Sequence, residues 1–177
     1  MCKRFIPYAH AKTIYDIDLG FFKFLNVKYI FVDLDNTLDS YRSMTPNERS
    51  INLINSIKEL GITPIILSNN RGKRVKGYAA MLDVECIHSV GKPFSHKIKK
   101  LLKEKNIKND EVIMIGDQMI TDVCSGNGAK IKVILTDKLV KEDQFTTHFN
   151  RFFERPFRSY CRKHGKLIDW RIRYGQS

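Results

Sequence analysis

Two aspartates, two positions apart, could perform chemistry near the start of the chain. Asp33 and Asp35 follow the hydrophobic run Tyr29-Ile30-Phe31-Val32, which predicts a buried strand. Because side chains alternate along an extended chain, both carboxylates would point to the same side. Carboxylates just beyond a strand of an open α/β sheet lie where such sheets bind ligands. Their mutual repulsion favours a hard cation such as Mg2+, which prefers oxygen ligands, although a polar turn would also explain this pair alone.

Three further groups of polar residues repeat this arrangement later in the chain. They are Ser68-Asn69-Asn70 after a second predicted strand, Gly91-Lys92-Pro93, and Gly116-Asp117 with Asp122 nearby. The ligand-binding ends of parallel strands meet at one edge of a sheet, so these groups would gather there. Each residue alone could be a helix cap, a surface lysine or a turn residue. Their joint occurrence in this order favours a catalytic site.

This set of residue types suits phosphoryl transfer through a covalent aspartyl-phosphate. Asp33 would attack phosphorus and so divide the hydrolysis into two easier steps. Asp35 would protonate the leaving alkoxide and then deprotonate the attacking water. Mg2+ would bind to Asp33, to the backbone carbonyl of Asp35 and to Asp117, and would offset charge on the phosphoryl oxygens. Asp122 would support the metal, either directly or through another ligand.

The remaining predicted site residues would bind the phosphate or the rest of the substrate. Ser68 would donate a hydrogen bond to a phosphoryl oxygen, together with backbone N–H groups at a helix start. Lys92 would act as a point charge on the phosphate and keep Asp33 ionised. A basic stretch after Ser68 could bind a second phosphate, although a solvated helix face has the same composition. The predicted substrate-binding residues are Thr37, Asn69, Arg71 and Arg74.

The elements that position these residues alternate between strands and helices. Such a pattern predicts an α/β fold with a central parallel five-stranded sheet and helices on both faces. We expect strands at Tyr29–Asp33, Thr63–Ser68, Glu85–His88, Glu111–Gly116 and Ile131–Leu135. We expect helices at Pro46–Leu60, Lys73–Leu82, Phe94–Lys105 and Met119–Gly126, and a short helix or irregular layer near Ile14–Leu25. Thr45 is the expected N-cap of the first of these helices, and Gly61 the expected end.

The composition is that of a folded globular chain with anionic partners. Hydrophobic residues make up 42% of the chain and charged residues 28%, as in ordinary globular domains. No apolar run approaches the roughly 18 residues of a membrane span, and we identify no secretory signal. The four cysteines and five histidines form no metal-binding pattern, which indicates reduced thiols and a cytoplasmic location. The net charge of +12 favours nucleic acid, an acidic membrane or a phosphorylated substrate, with general solubility as the alternative.

Together, the four motifs resemble those of the haloacid dehalogenase (HAD) superfamily of phosphatases. Its first motif, Asp-x-Asp-x-Thr/Val, corresponds here to Asp33-Leu34-Asp35-Asn36-Thr37. The chain is also similar to the YqeG-type branch of subclass IIIA in Ser68-Asn69-Asn70, Lys92-Pro93 and Gly116-Asp117-Gln118. The resemblance covers about residues 14–150 and implies a Rossmann-like HAD fold and Mg2+-dependent phosphatase activity. Relatives in fungi and plants imply the hydrolysis of phosphatidylglycerophosphate to phosphatidylglycerol.

HAD phosphatases often carry an inserted lid domain, and the motif spacing here leaves no room for one. Between Thr37 and Ser68, and again between Ser68 and Lys92, the chain is long enough for only one helix and one strand with a short loop. An uncovered site would admit a macromolecule or a lipid headgroup at a membrane. We expect one domain over residues 1–177, with a core of about 14–150 and a basic, aromatic C-terminal extension of about 151–177.

The C-terminal extension interleaves aromatic and basic residues, which suits an anionic bilayer surface or RNA. Packing of Phe152 and Phe157 into the core is the alternative. We expect a phosphorylated substrate with an anionic lipid headgroup, and peripheral contact with an acidic membrane surface at the inner face of the cell membrane. The alternatives are a phosphatase acting on a nucleic-acid end or a sugar phosphate, and an RNA- or ribosome-binding module.

Overall fold

Six parallel strands form one sheet at the centre of the computed structural model, which describes residues 3–140 and 145–175. The strands are β1 (Ala9–Ala11), β2 (Tyr29–Val32), β3 (Thr63–Leu67), β4 (Glu85–Ile87), β5 (Val112–Gly116) and β6 (Lys132–Thr136). Their order across the sheet is β1-β6-β5-β2-β3-β4. In the central register, Phe31 of β2 lies between Ile65 of β3 and Met114 of β5.

Helices cover both faces of this sheet and bury its apolar side chains. They are α1 (Leu19–Phe24), α2 (Glu48–Glu59), α3 (Gly72–Met81), α4 (His96–Glu104), α5 (Cys124–Gly128), α6 (Phe145–Lys163) and α7 (Trp170–Tyr174). One buried cluster includes Ile30, Ile54 and Val75, and a second includes Phe31, Ile98 and Met114. Because the central strands are buried on both faces, they consist of nearly continuous apolar runs, which explains why the sequence predicts them.

The predicted α/β fold with a parallel sheet is confirmed, but the predicted number of five strands is too low. The five expected strands are present with ends shifted by about one residue. The additional strand is β1, in which Ala9 pairs with Ile134 and Ala11 with Thr136. Its sequence, Ala-His-Ala, contains none of the β-branched or aromatic residues that favour strands. Pairing with β6, rather than local sequence, therefore accounts for β1.

The predicted start of the first long helix is wrong by a few residues. Asn47, not Thr45, is the N-cap of α2, and its side chain accepts a hydrogen bond from the Ser50 backbone N–H at 3.0 Å. Asn47 also donates to Asp39 at 2.9 Å. This second contact fixes Asn47 at the cap position and so begins the helix there. The expected end is confirmed, since Gly61 follows the helix with a φ of 74°.

The two intervals between the motifs contain only the elements of the sheet and its helices. The chain from Thr37 to Ser68 forms a loop, α2 and β3, and the chain from Ser68 to Lys92 contains α3 and β4. The carboxyl ends of β2, β3 and β5, which we call the catalytic edge, are therefore not covered by an inserted domain. None of the helices within 3–140 and 145–175 has the length and apolar character that crossing a bilayer requires.

The C-terminal extension folds back onto the N-terminal part of the chain. The ring of Trp170 is 3% exposed and lies 5.6 Å from the ring of Phe21. The Phe157 ring stacks on Phe5 with a centroid distance of 4.4 Å, while the side chain of Phe152 lies outside the described residues. The half-buried Phe157 and the buried Trp170 thus join the packed structure, whereas Arg155 and Arg162 of α6 are exposed to solvent.

Candidate active site

The loop after β2 brings the first two aspartates to the catalytic edge. The Asp33 backbone N–H donates to the Ile115 carbonyl at 2.9 Å, which continues the ladder between β2 and β5. Asn36 then has a φ of 62°, in the left-handed region that asparagine tolerates better than most residues. Its backbone N–H donates to the Asp39 carbonyl at 2.6 Å. This tight turn reverses the chain directly behind Asp33 and Asp35.

Three buried carboxylates meet at this edge and form what we call the acidic cluster. Carboxylate oxygens of Asp33, Asp117 and Asp122 lie within 4.8 Å of one another. The Lys92 ammonium lies 2.5 Å from Asp33 Oδ1 and 2.7 Å from Asp122 Oδ1. It also donates to the Leu67 carbonyl at 3.1 Å. Lys92 therefore joins the ends of β2, β3 and the segment after β5.

The electrostatics of the acidic cluster follow from its burial. Burial raises the pKa of the Asp33 carboxyl well above its ordinary value; Lys92 opposes this shift, and the neighbouring Asp122, Asp117 and Asp35 add to it. Burial alone would lower the pKa of Lys92, but the attraction of Asp122 and Asp33 outweighs it and raises that pKa. Lys92 thus stays protonated at neutral pH. One ammonium facing three carboxylates leaves an excess of negative charge, which a bound cation would offset.

The donor set of the acidic cluster fits a hard divalent cation. It offers carboxylate oxygens from three side chains, which are the ligands such ions prefer. Neighbouring groups hold two of them in place: Thr37 Oγ1 donates to Asp117 at 3.5 Å, and the Gln118 backbone N–H donates to Asp122 at 3.0 Å. The carboxylates of Asp33, Asp117 and Asp122 would therefore hold a metal ion, and the contribution of the Asp35 backbone carbonyl stays a prediction.

Asp35 lies beside this cluster rather than in it. Its carboxylate accepts hydrogen bonds from Asn70 at 2.8 Å and from the Ser68 hydroxyl at 3.3 Å, and it forms an ion pair with Arg74. Arg74 also donates to the Ser43 carbonyl at 3.0 Å. These contacts hold the Asp35 side chain in one position. Arg74 thus lies at the site, next to Asp35.

Ser68 and Asn69 also lie at the catalytic edge and hold its loops together. Ser68 is fully buried, and its hydroxyl accepts from the Asn70 backbone N–H at 3.1 Å. It does not cap α3, whose N-cap position is Arg71. Asn69 exchanges two hydrogen bonds with the Lys92 backbone, at 2.8 and 3.0 Å. Arg71 itself is exposed at the rim.

One group near the first motif has no counterpart among the predicted site residues. Asp39 is 6% exposed, and its carboxylate accepts from Ser43 at 2.8 Å and from the Tyr78 hydroxyl at 3.0 Å. A further donor to it is Asn47, the cap of α2. Asp39 therefore organises the loop between β2 and α2. Its sequence position carries no signal beyond a polar turn, so only the folded contacts reveal it.

Two residues of α6 also lie near the site although they are not among the predicted site residues. Glu154 accepts a hydrogen bond from the Ile120 backbone N–H at 2.8 Å, and Arg158 donates to the Asp117 carbonyl at 2.6 Å. Both contacts reach the segment that carries Asp117 and Asp122. The only sequence signal is an acid followed four positions later by a base on a helix, which is also common on exposed helix surfaces.

Comparisons with known proteins agree with this arrangement. A family model described as HAD-hydrolase-like matches residues 89–148. The chain is 34% identical over 168 residues to the probable phosphatase YqeG of Bacillus subtilis, which spans 95% of this chain and 97% of the relative.

Two solved structures share the fold. An uncharacterized protein from Listeria monocytogenes serotype 4b has a TM-score of 0.54 and 16% identity, and covers 67% of this chain and 85% of that one. The 3-deoxy-D-manno-octulosonate 8-phosphate phosphatase of Moraxella catarrhalis, in complex with magnesium, phosphate and its KDO molecule, has a TM-score of 0.50 and 16% identity. It covers 67% of this chain and 82% of that chain. At such identities the likeness concerns the fold alone.

Proposed function

This chain belongs to the HAD-like hydrolases, in the branch of the probable phosphatase YqeG, and is a phosphoric monoester hydrolase; we propose that it is a Mg2+-dependent phosphatase that hydrolyses phosphatidylglycerophosphate through an aspartyl-phosphate on Asp33. One observation carries the mechanism. The Asp33 carboxylate lies at an uncovered edge of the sheet, within the acidic cluster and 2.5 Å from the Lys92 ammonium.

In the first step, an Asp33 oxygen attacks phosphorus and the bond from phosphorus to the leaving oxygen breaks. Asp35, which must enter this step in its protonated form, gives its proton to that oxygen, so the alcohol leaves neutral. Lys92 holds one Asp33 oxygen by a hydrogen bond, which orients the carboxylate for in-line attack. When bound by the acidic cluster, Mg2+ supplies positive charge that offsets the charge of the phosphoryl oxygens.

In the second step, Asp35 takes a proton from water, and the resulting hydroxide attacks the aspartyl-phosphate. The bond between phosphorus and the Asp33 oxygen breaks, which releases phosphate and restores both carboxyl groups to their starting states. Ser68, Asn70 and Arg74 keep the Asp35 carboxyl in place for both proton transfers. Asp35 thus serves first as acid and then as base.

The surroundings of the site support a lipid substrate. Two apolar side chains close to the site in sequence are largely exposed, Met44 at 65% and Phe94 at 66%, and such groups suit contact with a bilayer. Arg71 and Lys73, which follow the second motif directly, are exposed and could pair with anionic headgroups. Arg74, next to Asp35, is the basic side chain that we assign to the diester phosphate of phosphatidylglycerophosphate. We place the enzyme at the inner face of the cell membrane.

A panel of phosphate monoesters tests this proposal. It should contain phosphatidylglycerophosphate in mixed micelles, a sugar phosphate, a 5′-phosphorylated oligonucleotide and a soluble aryl phosphate. We expect the highest kcat/KM on the lipid, and loss of all turnover in excess EDTA with recovery on adding Mg2+. A preference for the sugar phosphate or the oligonucleotide would overturn the lipid assignment, and full activity in EDTA would overturn the metal.

A further inference from the structure

Helix α6 packs against the segment that follows β5 and places a buried carboxylate there. Glu154 is 1% exposed, and a buried carboxylate is costly unless it is hydrogen-bonded or paired. Its Oε1 accepts from the Ile120 backbone N–H at 2.8 Å, and its Oε2 lies 3.6 Å from Arg158 Nε. Nothing in the proposed chemistry needs a carboxylate at this position. The free energy needed to bury the Glu154 carboxylate must therefore be offset by its contacts with Ile120 and Arg158.

The backbone that Glu154 holds has an unusual local structure. Met119–Val123 forms a π-helical turn that continues into α5. Backbone N–H groups at the start of a helical segment have no intrahelical acceptor, and π-turns are frequent at functional sites. The Glu154 carboxylate supplies the acceptor for Ile120. It thereby stabilises a turn that begins shortly after Asp117 and contains Asp122.

Arg158 fixes the other end of the same segment. It donates to the Asp117 carbonyl at 2.6 Å and to the Thr136 carbonyl at the end of β6 at 3.4 Å. It also lies 3.4 Å from the Asp137 carboxylate. The planar guanidinium can make these contacts at once because its donors form a rigid fork. Arg158 therefore ties the Asp117 backbone to the end of β6.

We infer that Glu154 and Arg158 are positioning residues, which hold the segment of residues 117–122 so that Asp117 and Asp122 are preorganised for the cation. The inference rests on the proposed function, because it concerns the same metal site. Helix α6 therefore contributes to the metal site through the backbone of residues 117 and 120, whereas Lys92 contacts the carboxylates of the acidic cluster directly. Outer groups of this kind usually change metal affinity or activity by about 10- to 100-fold when they are altered.

Three variants separate this role from simple packing. Arg158→Lys keeps the charge but loses the fork, and Glu154→Gln keeps an acceptor for Ile120 but loses the charge that pairs with Arg158. Arg155→Gln is the matched control, because Arg155 is on the same helix and exposed. Mg2+ affinity would be measured by isothermal titration calorimetry, kcat and KM with a soluble aryl phosphate, and thermal unfolding in EDTA.

We expect Mg2+ to bind about 10-fold or more weakly to Arg158→Lys and Glu154→Gln, with kcat reduced and KM for the aryl phosphate nearly unchanged. Saturating Mg2+ should restore part of kcat. The control should match the wild type in all three measurements. Wild-type Mg2+ affinity in both variants would overturn the inference, and so would failure of both to fold, which would make the pair structural.

The calorimetric measurement keeps this inference separate from the function itself. If the wild-type protein hydrolyses none of the monoesters but the two variants bind Mg2+ more weakly than the control, the positioning role stands and the substrate proposal fails. If the wild type is active and the two variants bind Mg2+ with wild-type affinity, the substrate proposal stands and the positioning role fails.

Discussion

At the scale of single residues, the site depends on a balance of buried charges. Lys92 satisfies one oxygen each of Asp33 and Asp122, but it cannot neutralise three carboxylates. This imbalance adds to the raised pKa of Asp33, so an ionised Asp33 facing negative phosphoryl oxygens needs positive charge beside it. The ammonium holds the carboxylate in one orientation, and a bound cation would supply the remaining positive charge.

The role of Asp33 leads to the first prediction. Asp33→Asn preserves the shape of the side chain but cannot form the aspartyl-phosphate, so kcat should fall by more than about 1,000-fold, as for other covalent nucleophiles. The fold should persist, because the change removes one of several repelling carboxylates. Phosphate release and circular dichroism would be measured together. Turnover near the wild-type rate in a folded variant would exclude Asp33 as nucleophile.

The glycine before Asp117 leads to the second prediction. A Cβ at Gly116 would overlap the side chain of Asp122, which is buried and held by Lys92 and the Gln118 backbone N–H. Gly116→Ala should therefore displace Asp122 and weaken Mg2+ binding by at least about 10-fold. Calorimetric titration with Mg2+ would measure this. Gly77→Ala is the control, since a Cβ there meets no atom within 4 Å.

At the scale of elements, the sequence predicted what local pattern determines and missed what distant contacts determine. The buried strands that carry Asp33, Ser68 and Asp117 are visible as apolar runs, so their side chains could be assigned to one edge. The contact of Glu154 with Ile120 joins segments far apart in the chain, and no local periodicity encodes it. Likewise, the aromatic and basic composition of α6 is compatible with an exposed helix and with a packed one. Only the structure shows which of its side chains are buried.

The short helical turn Ile14–Asp16 leads to a prediction about stability. The Tyr15 hydroxyl donates to the Leu38 carbonyl at 2.5 Å, which ties this turn to the loop after β2. Burial, with a further contribution from Asp39, raises the pKa of Tyr15 to about 12, while Arg49 opposes the shift. Since the folded state favours the protonated phenol, this stabilisation is complete below pH 10 and is lost as the pH rises towards 12.

Tyr15→Phe should remove the hydrogen bond and lower the free energy of unfolding at pH 8 by about 1–3 kcal/mol, because the Leu38 carbonyl loses its donor. The difference between wild type and variant should shrink between pH 10 and 12. Urea unfolding of both proteins across this range measures it. Burial also raises the pKa of Tyr78. Because Tyr78 is present in both proteins, its effect on the pH dependence cancels in the difference. A difference that stays constant with pH would contradict this account.

At the scale of the whole molecule, the net charge of +12 is distributed over more than one surface. On α6 the inward side chains Glu154, Phe157 and Cys161 are buried or half-buried, while the opposite side presents exposed basic and aromatic residues. Because Glu154 and Arg158 contact the segment of residues 117–122 from the inner side of α6, the outer side of the helix faces away from the acidic cluster.

The last prediction concerns this surface. The protein should bind vesicles containing phosphatidylglycerol and should dissociate as salt increases, because exposed charges are screened over about 10 Å at 0.1 M ionic strength. Each basic side chain near such a surface contributes on the order of 1 kcal/mol. Replacing Arg155, Arg162 and Lys163 by glutamine, all exposed on α6, should therefore weaken vesicle binding by about 100-fold.

The matched control replaces Lys99, Lys103 and Lys130 by glutamine, which removes the same charge from exposed positions on or near α4. Lys103 and Lys130 lie towards the amino ends of the strands, away from the catalytic edge. Co-sedimentation should then show strong loss for the α6 variant and little for the control, while hydrolysis of a soluble aryl phosphate stays at the wild-type rate in both. Equal losses would mean that total charge, and not the α6 surface, attracts the membrane. Absence of vesicle binding by the wild type would remove the membrane from the proposed function and favour a water-soluble phosphate monoester as the substrate.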